Sequence, residues 1–290
     1  MNNAPFPFSD PRSTFLLVHG SGTSSHMWAP VQRELALLGR RSYAIDLPGH
    51  GLEAQYPVAY QAPQDLEALR MHRSILEDVT LDDNVAALLA PVRAMRAHGP
   101  VILVAASLGG MTSTVFANRH PDLVDGLAYI SAWACASRAN PIEYMSEPEF
   151  ARSLLPELAG LNIEVDSSPA VGRANYRTAD ADLLERLKAA TMADVDDDRF
   201  LAFLNLMQPD ESLSVMLANA RIRPDVWGRI PHTFVRLLQD RSLPVEMQDR
   251  LIREADALTP ENPFRVHSLD TSHAGFLFRS AEVARLLIGS

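Results

Sequence analysis

The sequence is short of several things, and each shortage removes a class of function. Cys135 is its single cysteine, which excludes an internal disulfide framework and any multi-cysteine zinc site. Lys188 is its only lysine, and acidic residues outnumber basic ones 36 to 26. A chain of formal net charge -10 without a basic run is not built to take nucleic acid or an anionic membrane as its main partner. No apolar run reaches membrane-spanning length. The stretch Met1–Ser13 lacks the charged region and apolar core of a signal peptide, so a cytoplasmic protein is expected. The histidines and carboxylates show no H-x-x-x-H spacing or comparable cluster, so no metal is expected. "HGSGTSS" (His19–Ser25) has too few glycines for a dinucleotide site, and no cofactor is expected.

What is present is a large apolar fraction, 47% of 290 residues, ample for one large α/β domain with an insertion. Short apolar runs alternate with helical patterns. "TFLLV" (Thr14–Val18), "SYAID" (Ser42–Asp46), "VILVA" (Val101–Ala105), "GLAYI" (Gly126–Ile130), "TFVRLL" (Thr233–Leu238) and "FRVHSL" (Phe264–Leu269) read as strands. Continuous apolar runs such as "VILVA" suit parallel strands buried on both faces. Helical patterns cover Met27–Leu38, Leu81–Ala97, Leu108–His120, Val245–Ala255 and Ala281–Ile288. This alternation predicts βαβ crossovers and a mostly parallel central sheet flanked by helices.

Two segments break the rhythm. Residues 51–80 are long and polar, and they are expected to add a wall to a pocket. Residues 133–230 carry helical pieces such as Glu149–Gly160, Asp180–Met192 and Asp197–Met207, with little strand character. Lying between two strands of the predicted sheet, they read as an inserted helical cap over a core formed by 1–132 and 231–290.

Candidate chemistry centres on "VILVAASLGGMTST" (Val101–Thr114). A serine nucleophile needs a sharp strand-to-helix turn, a base, and a carboxylate that orients the base. Ser107 sits where strand passes to helix. Of the G-x-S-x-G pattern, Gly109 is present and Ala105 replaces the first glycine, a relaxed match. The helix start makes the Leu108 N–H one oxyanion donor, and Ser21, between Gly20 and Gly22, supplies the second. Of nine histidines, His273 lies in a loop after the last strand, where the order Ser…Asp…His requires the base. Asp240, at the end of the preceding strand, is the expected orienting carboxylate, with Asp270 in the same loop as His273 as its rival. Gly22, Trp133 and Tyr144 are candidate pocket residues, and Met145, Phe203 and Met207 could extend an apolar, aromatic lining.

Taken together, "FLLVHGSGTSSHMW", "YAIDLPGHG", "VILVAASLGGM", "FVRLLQDRSLP" and "DTSHAGF" resemble the α/β-hydrolase superfamily, and within it the branch of plant methyl esterases, hydroxynitrile lyases and related bacterial esterases. The resemblance implies Ser107 as nucleophile, His273 as base, Asp240 as its partner, and the N–H groups of Ser21 and Leu108 as oxyanion hole. Three positions depart from the branch. Ala106 stands where histidine is common. Gly20 and Ala274 stand where hydroxynitrile lyases carry threonine and lysine, which argues against cyanohydrin cleavage.

The expected activity is therefore hydrolysis of a carboxylic ester or lactone of a small, largely apolar molecule through an acyl-enzyme. A cofactor-free lyase, dioxygenase or rearrangement enzyme using His273 as base is the alternative, and a ligand receptor on the same fold is the third. The expected partner is a small-molecule substrate, with a homodimer left open.

Overall fold

The computed structural model describes residues 7–166 and 168–289. In chain order its regular elements are β1 (Thr14–Val18), α1 (Ala29–Leu37), β2 (Arg41–Ile45), α2 (Leu66–Met71), α3 (Leu81–Arg96), β3 (Val101–Ala106), α4 (Gly109–Arg119) and β4 (Gly126–Ile130). An insert follows, holding α5 (Pro141–Tyr144), β5 (Asn162–Ile163), β6 (Val171–Ala174), α6 (Ala181–Thr191), α7 (Asp197–Leu204), β7 (Asp210–Ser212) and α8 (Leu213–Leu217). The chain then returns to the sheet with β8 (His232–Leu237), α9 (Val245–Leu258), β9 (Arg265–Leu269) and α10 (Ser280–Ile288).

The six long strands form one parallel sheet in the order β2-β1-β3-β4-β8-β9. Alternation along each strand divides the core in two. Leu16, Val18, Leu103, Leu127 and Phe234 face α3, α4 and α9. Phe15, Leu17, Val104, Ile130 and Val235 face α1 and α10. Both faces are covered, and this is why β1, β3 and β4 are buried at every position and read as continuous apolar runs. Helix α3 begins with a capping box, Thr80 and Asp83 each bonding the other's backbone N–H, which satisfies donors the helix start would leave open.

The insert holds one element that hydropathy does not reveal. β5, β6 and β7 make a three-stranded antiparallel sheet. Its strands are two to four residues long and partly charged ("DES" in β7), so no period-two apolar pattern marks them. Glu149–Gly160 forms 3-10 turns rather than an α-helix, Pro148–Phe150 and Leu155–Leu161, each entered through a proline.

Residues 51–80 do not line the cavity described below, contrary to the sequence expectation. They brace the insert instead. The buried Arg173 guanidinium on β6 bonds both oxygens of Asp210 on β7, at 2.6 and 2.7 Å, and also reaches the carbonyls of Leu69 and His72. Arg173 is 1% exposed and Asp210 10%, so removing the cation leaves a carboxylate in the interior. Arg173→Ala should therefore cost about 3–5 kcal/mol of stability in chemical denaturation. A loss below about 1 kcal/mol, the range of an exposed pair, would show that the ion pair braces nothing.

Candidate active site

Ser107 joins β3 to α4 with φ 50°, a left-handed backbone that costs a non-glycine residue on the order of 1–3 kcal/mol. The Ser107 carbonyl is held by the N–H groups of Trp133 (3.0 Å) and Gly110 (3.1 Å). Glycines around the turn allow close approaches. A Cβ on Gly109 would lie 2.4 Å from the His19 carbonyl, one on Gly110 2.4 Å from that of Trp133, and one on Gly20 2.9 Å from the Ser107 Cβ. Ala105, in the place of the usual first glycine, lies inside β3 between Val18 and Tyr129 and is fully buried there.

The loop after β1 is pinned on either side of Ser21. The Gly20 carbonyl accepts from Thr23 Oγ1 (2.8 Å) and from His19 Nδ1 (2.9 Å). His19 Nε2 accepts from the Leu47 N–H at 3.1 Å, so the ring proton must sit on Nδ1. Burial, with His50 beside it, pushes the His19 pKa down to about 4 and keeps the ring neutral. On the other side, the Gly22 N–H donates to Glu211 Oε2 at 3.0 Å. Because a trans peptide points its N–H opposite its carbonyl, fixing the Gly20 carbonyl aims the Ser21 N–H. Neither the Ser21 nor the Leu108 N–H has an acceptor among the described residues, and both residues line the cavity.

The third loop brings His273. Its Nδ1–H donates to Asp240 Oδ2 at 2.6 Å. That oxygen also accepts from Ser131 Oγ (2.6 Å), while Oδ1 accepts from the N–H groups of Ser242 and Leu243 (2.8 Å each). Four donors thus compensate the buried Asp240 charge. Burial disfavours a charged His273, but the Asp240 charge and hydrogen bond outweigh it and hold the imidazole pKa above its ordinary value. The rival Asp270 is engaged elsewhere, accepting from Gln239 Nε2 at 2.9 Å.

The insert grips the same loop. Asp194, between α6 and α7, accepts from Thr271 Oγ1 (2.5 Å), from the Ser272 N–H (3.2 Å) and from the Ser272 hydroxyl. The Ala274 N–H adds a bond to the Thr191 carbonyl at 2.8 Å. His273 is therefore bracketed on both sides by bonds to the insert.

These loops open on one cavity of about 450 Å³, lined by Ser107, Ser21, Leu108 and His273 and otherwise mostly by apolar side chains. Trp133, Met145, Phe203 and Met207 line it as the sequence suggests, together with Met27 and Met216. Two pocket candidates do not. Tyr144 is fully buried away from it: its hydroxyl donates to Glu254 Oε2 at 2.6 Å and accepts from the Ala136 N–H, a buried polar knot under α9. Gly22 is not on the cavity wall, because Tyr176, Met207 and Gln208 cover it.

A sequence profile of the alpha/beta hydrolase family matches residues 15–286. The chain belongs to that family. Among curated relatives of this hydrolase, it is 27% identical over 264 residues to the pyrethroid hydrolase of Sphingobium wenxiniae, covering 90% of this chain and 81% of that one. It is 23% identical over 256 residues to methylesterase 9 of Arabidopsis thaliana, covering 83% and 85%. The solved pyrethroid hydrolase of Sphingobium faniae superposes with a TM-score of 0.70 at 24% identity over 96% of both chains, a likeness of fold. Relatives named hydrolase and esterase support carboxylic ester hydrolysis as the enzyme class.

Sequence reasoning missed Ser131, Asp194, Glu211 and Tyr176 of this hydrolase. No local pattern marks them, since each acts across the fold. Asp194→Ala should speed hydrogen exchange of the Thr271–Ala274 amides about tenfold or more, the loss of net hydrogen-bond energy on the order of 1–3 kcal/mol, with β9 unaffected. Unchanged protection of that loop would show that the insert does not hold it.

Proposed function

We infer that the protein is a serine esterase for neutral, largely apolar esters or lactones. The observation that carries this reading is the 2.6 Å contact of His273 Nδ1 with the fully hydrogen-bonded Asp240, beside Ser107 on a left-handed turn in one cavity.

In this scheme the neutral His273 takes the Ser107 proton at Nε2 as Oγ attacks the ester carbonyl. The oxygen that becomes negative is met by the Ser21 and Leu108 N–H groups, already oriented and free of other acceptors. His273 passes the proton to the departing alcohol. Water, deprotonated by the same nitrogen, then attacks the acyl-enzyme and releases the acid. Asp240 keeps the proton on Nδ1 and stabilises the imidazolium that forms in each half-reaction.

The lining sets the substrate. Among the described residues it includes no arginine, lysine, aspartate or glutamate that would clamp a carboxylate or phosphate. Four methionines, Met27, Met145, Met207 and Met216, give a wall that can adapt its shape. About 450 Å³ accommodates more than a short acyl chain. A pyrethroid, after the Sphingobium relative, and methyl esters of apolar acids form the first substrate panel.

Ser107→Ala should lower kcat by about 10⁴-fold or more while leaving the protein folded. A fluorophosphonate should label wild type at Ser107, read by mass spectrometry, and leave the variant unlabelled. Near-normal ester turnover by folded Ser107→Ala overturns the scheme. The base must be neutral to act, so kcat/KM should fall as pH drops through the raised His273 pKa, on a limb above the ordinary 6.5. Asp240→Asn removes the charge that raises it. The limb should then move to lower pH, with turnover down by about 10⁴-fold. An acid limb that stays in place in Asp240→Asn would mean that another group controls it.

A further inference from the structure

Besides the Ser107 and Ser21 hydroxyls, the Tyr176 hydroxyl on the cavity wall has no hydrogen-bond partner among the described residues. Tyr176 follows β6 and lines the cavity, and its Oη lies 3.3 Å from where a Cβ on Gly22 would stand. No described donor or acceptor bonds it. The nearby carboxylate that could accept its proton is already engaged: Glu211 Oε2 takes the Gly22 N–H, with His50 Nε2 3.6 Å away, and Oε1 takes the Ser212 N–H at 3.0 Å. Burial, with the Glu211 charge adding to it, holds the phenol pKa well above its ordinary value, so Oη keeps its proton and remains a donor. Around the same point on Gly22 lie the Met207 methyl group at 3.1 Å and the Gln208 carbonyl at 3.4 Å. A ligand acceptor that meets this donor in place of water gains about 0.5–1.5 kcal/mol.

Its position relates it to the reacting centre. A Cβ on Gly20 would lie 2.9 Å from the Ser107 Cβ, and one on Gly22 would lie 3.3 Å from Tyr176 Oη. Two residues of chain span at most about 7 Å. Resting on the serine-esterase reading, we propose that Tyr176 Oη is a specificity-determining donor. It selects neutral esters that carry a second acceptor oxygen, ether or carbonyl, at one fixed separation from the scissile carbonyl. Most of the rest of the wall is hydrocarbon, and the Thr23, Thr191 and Ser242 hydroxyls on it already donate to backbone carbonyls, so the Tyr176 hydroxyl and the oxyanion donors are polar points on a mainly apolar ground. A substrate with oxygens at both points binds in one orientation, whereas a plain hydrocarbon ester has one fixed point and can slide.

The test pairs p-nitrophenyl octanoate with its oxa analogues, in which one chain methylene at a time is replaced by an ether oxygen. In wild type, one position of the ether oxygen should lower KM relative to its neighbours. In Tyr176→Phe, which keeps the ring and its packing, the ratio of kcat/KM for that analogue to kcat/KM for octanoate should fall about tenfold. Taking the ratio cancels the intrinsic reactivity of the esters and any general loss in the variant. A ratio unchanged at every oxygen position, or a wild-type KM that does not respond to the oxygen, overturns the proposal while the esterase reading stands. Wild type inert toward the whole series and unlabelled by fluorophosphonate overturns the esterase reading and this inference with it.

Discussion

Ser107 can hold its left-handed backbone only because other backbones crowd in on it from three directions. Gly109 rests against the carbonyls that end β1, Gly110 against Trp133 after β4, and Gly20 against Ser107 itself. No Cβ fits at Gly109 or Gly110 against those backbones, so the ends of three adjacent strands and the start of α4 are locked at one spacing. The loop with the free Ser21 N–H and the residue that opens the insert, Trp133, are carried to the serine by the same crowding. A strained conformation is kept because the sheet over-determines it.

Around that turn, polar groups are committed with few exceptions. Asp240 accepts four hydrogen bonds, and His19 uses both ring nitrogens to orient one carbonyl. Glu211 holds the Gly22 N–H, and Asp194 holds the residues before His273. Among the exceptions are the Ser21 and Leu108 N–H groups and the Tyr176 hydroxyl, all at the cavity. Unmet groups that face a cavity are where a ligand gains most, because the protein has no competing partner for them.

The insert does more than roof the cavity. Two of its carboxylates, Asp194 and Glu211, reach the two loops that flank Ser107, and the Arg173–Asp210 pair ties it to residues 66–72. The segment expected to wall the pocket thus serves as its brace. The distinction lay in where one arginine's hydrogen bonds go, which no composition or periodicity could reveal.

By itself the sequence determined the parallel sheet and the strand-to-helix turn at Ser107. Continuous apolar strands and glycines at fixed offsets are consequences of local backbone geometry and burial, which neighbouring residues encode, while the order of serine, aspartate and histidine was legible only through the resemblance to α/β hydrolases. The antiparallel strands β5, β6 and β7 escaped because strands of two to four polar residues carry no period. Only the tertiary structure decided that His273 bonds Asp240 rather than Asp270 three residues away, that Tyr144 faces a buried knot and not the cavity, and that Tyr176 faces the cavity with its hydroxyl free. Those outcomes depend on contacts between residues tens to more than a hundred positions apart. Side-chain direction at such contacts is set by the packing of whole elements, and the sequence around each residue holds no record of it.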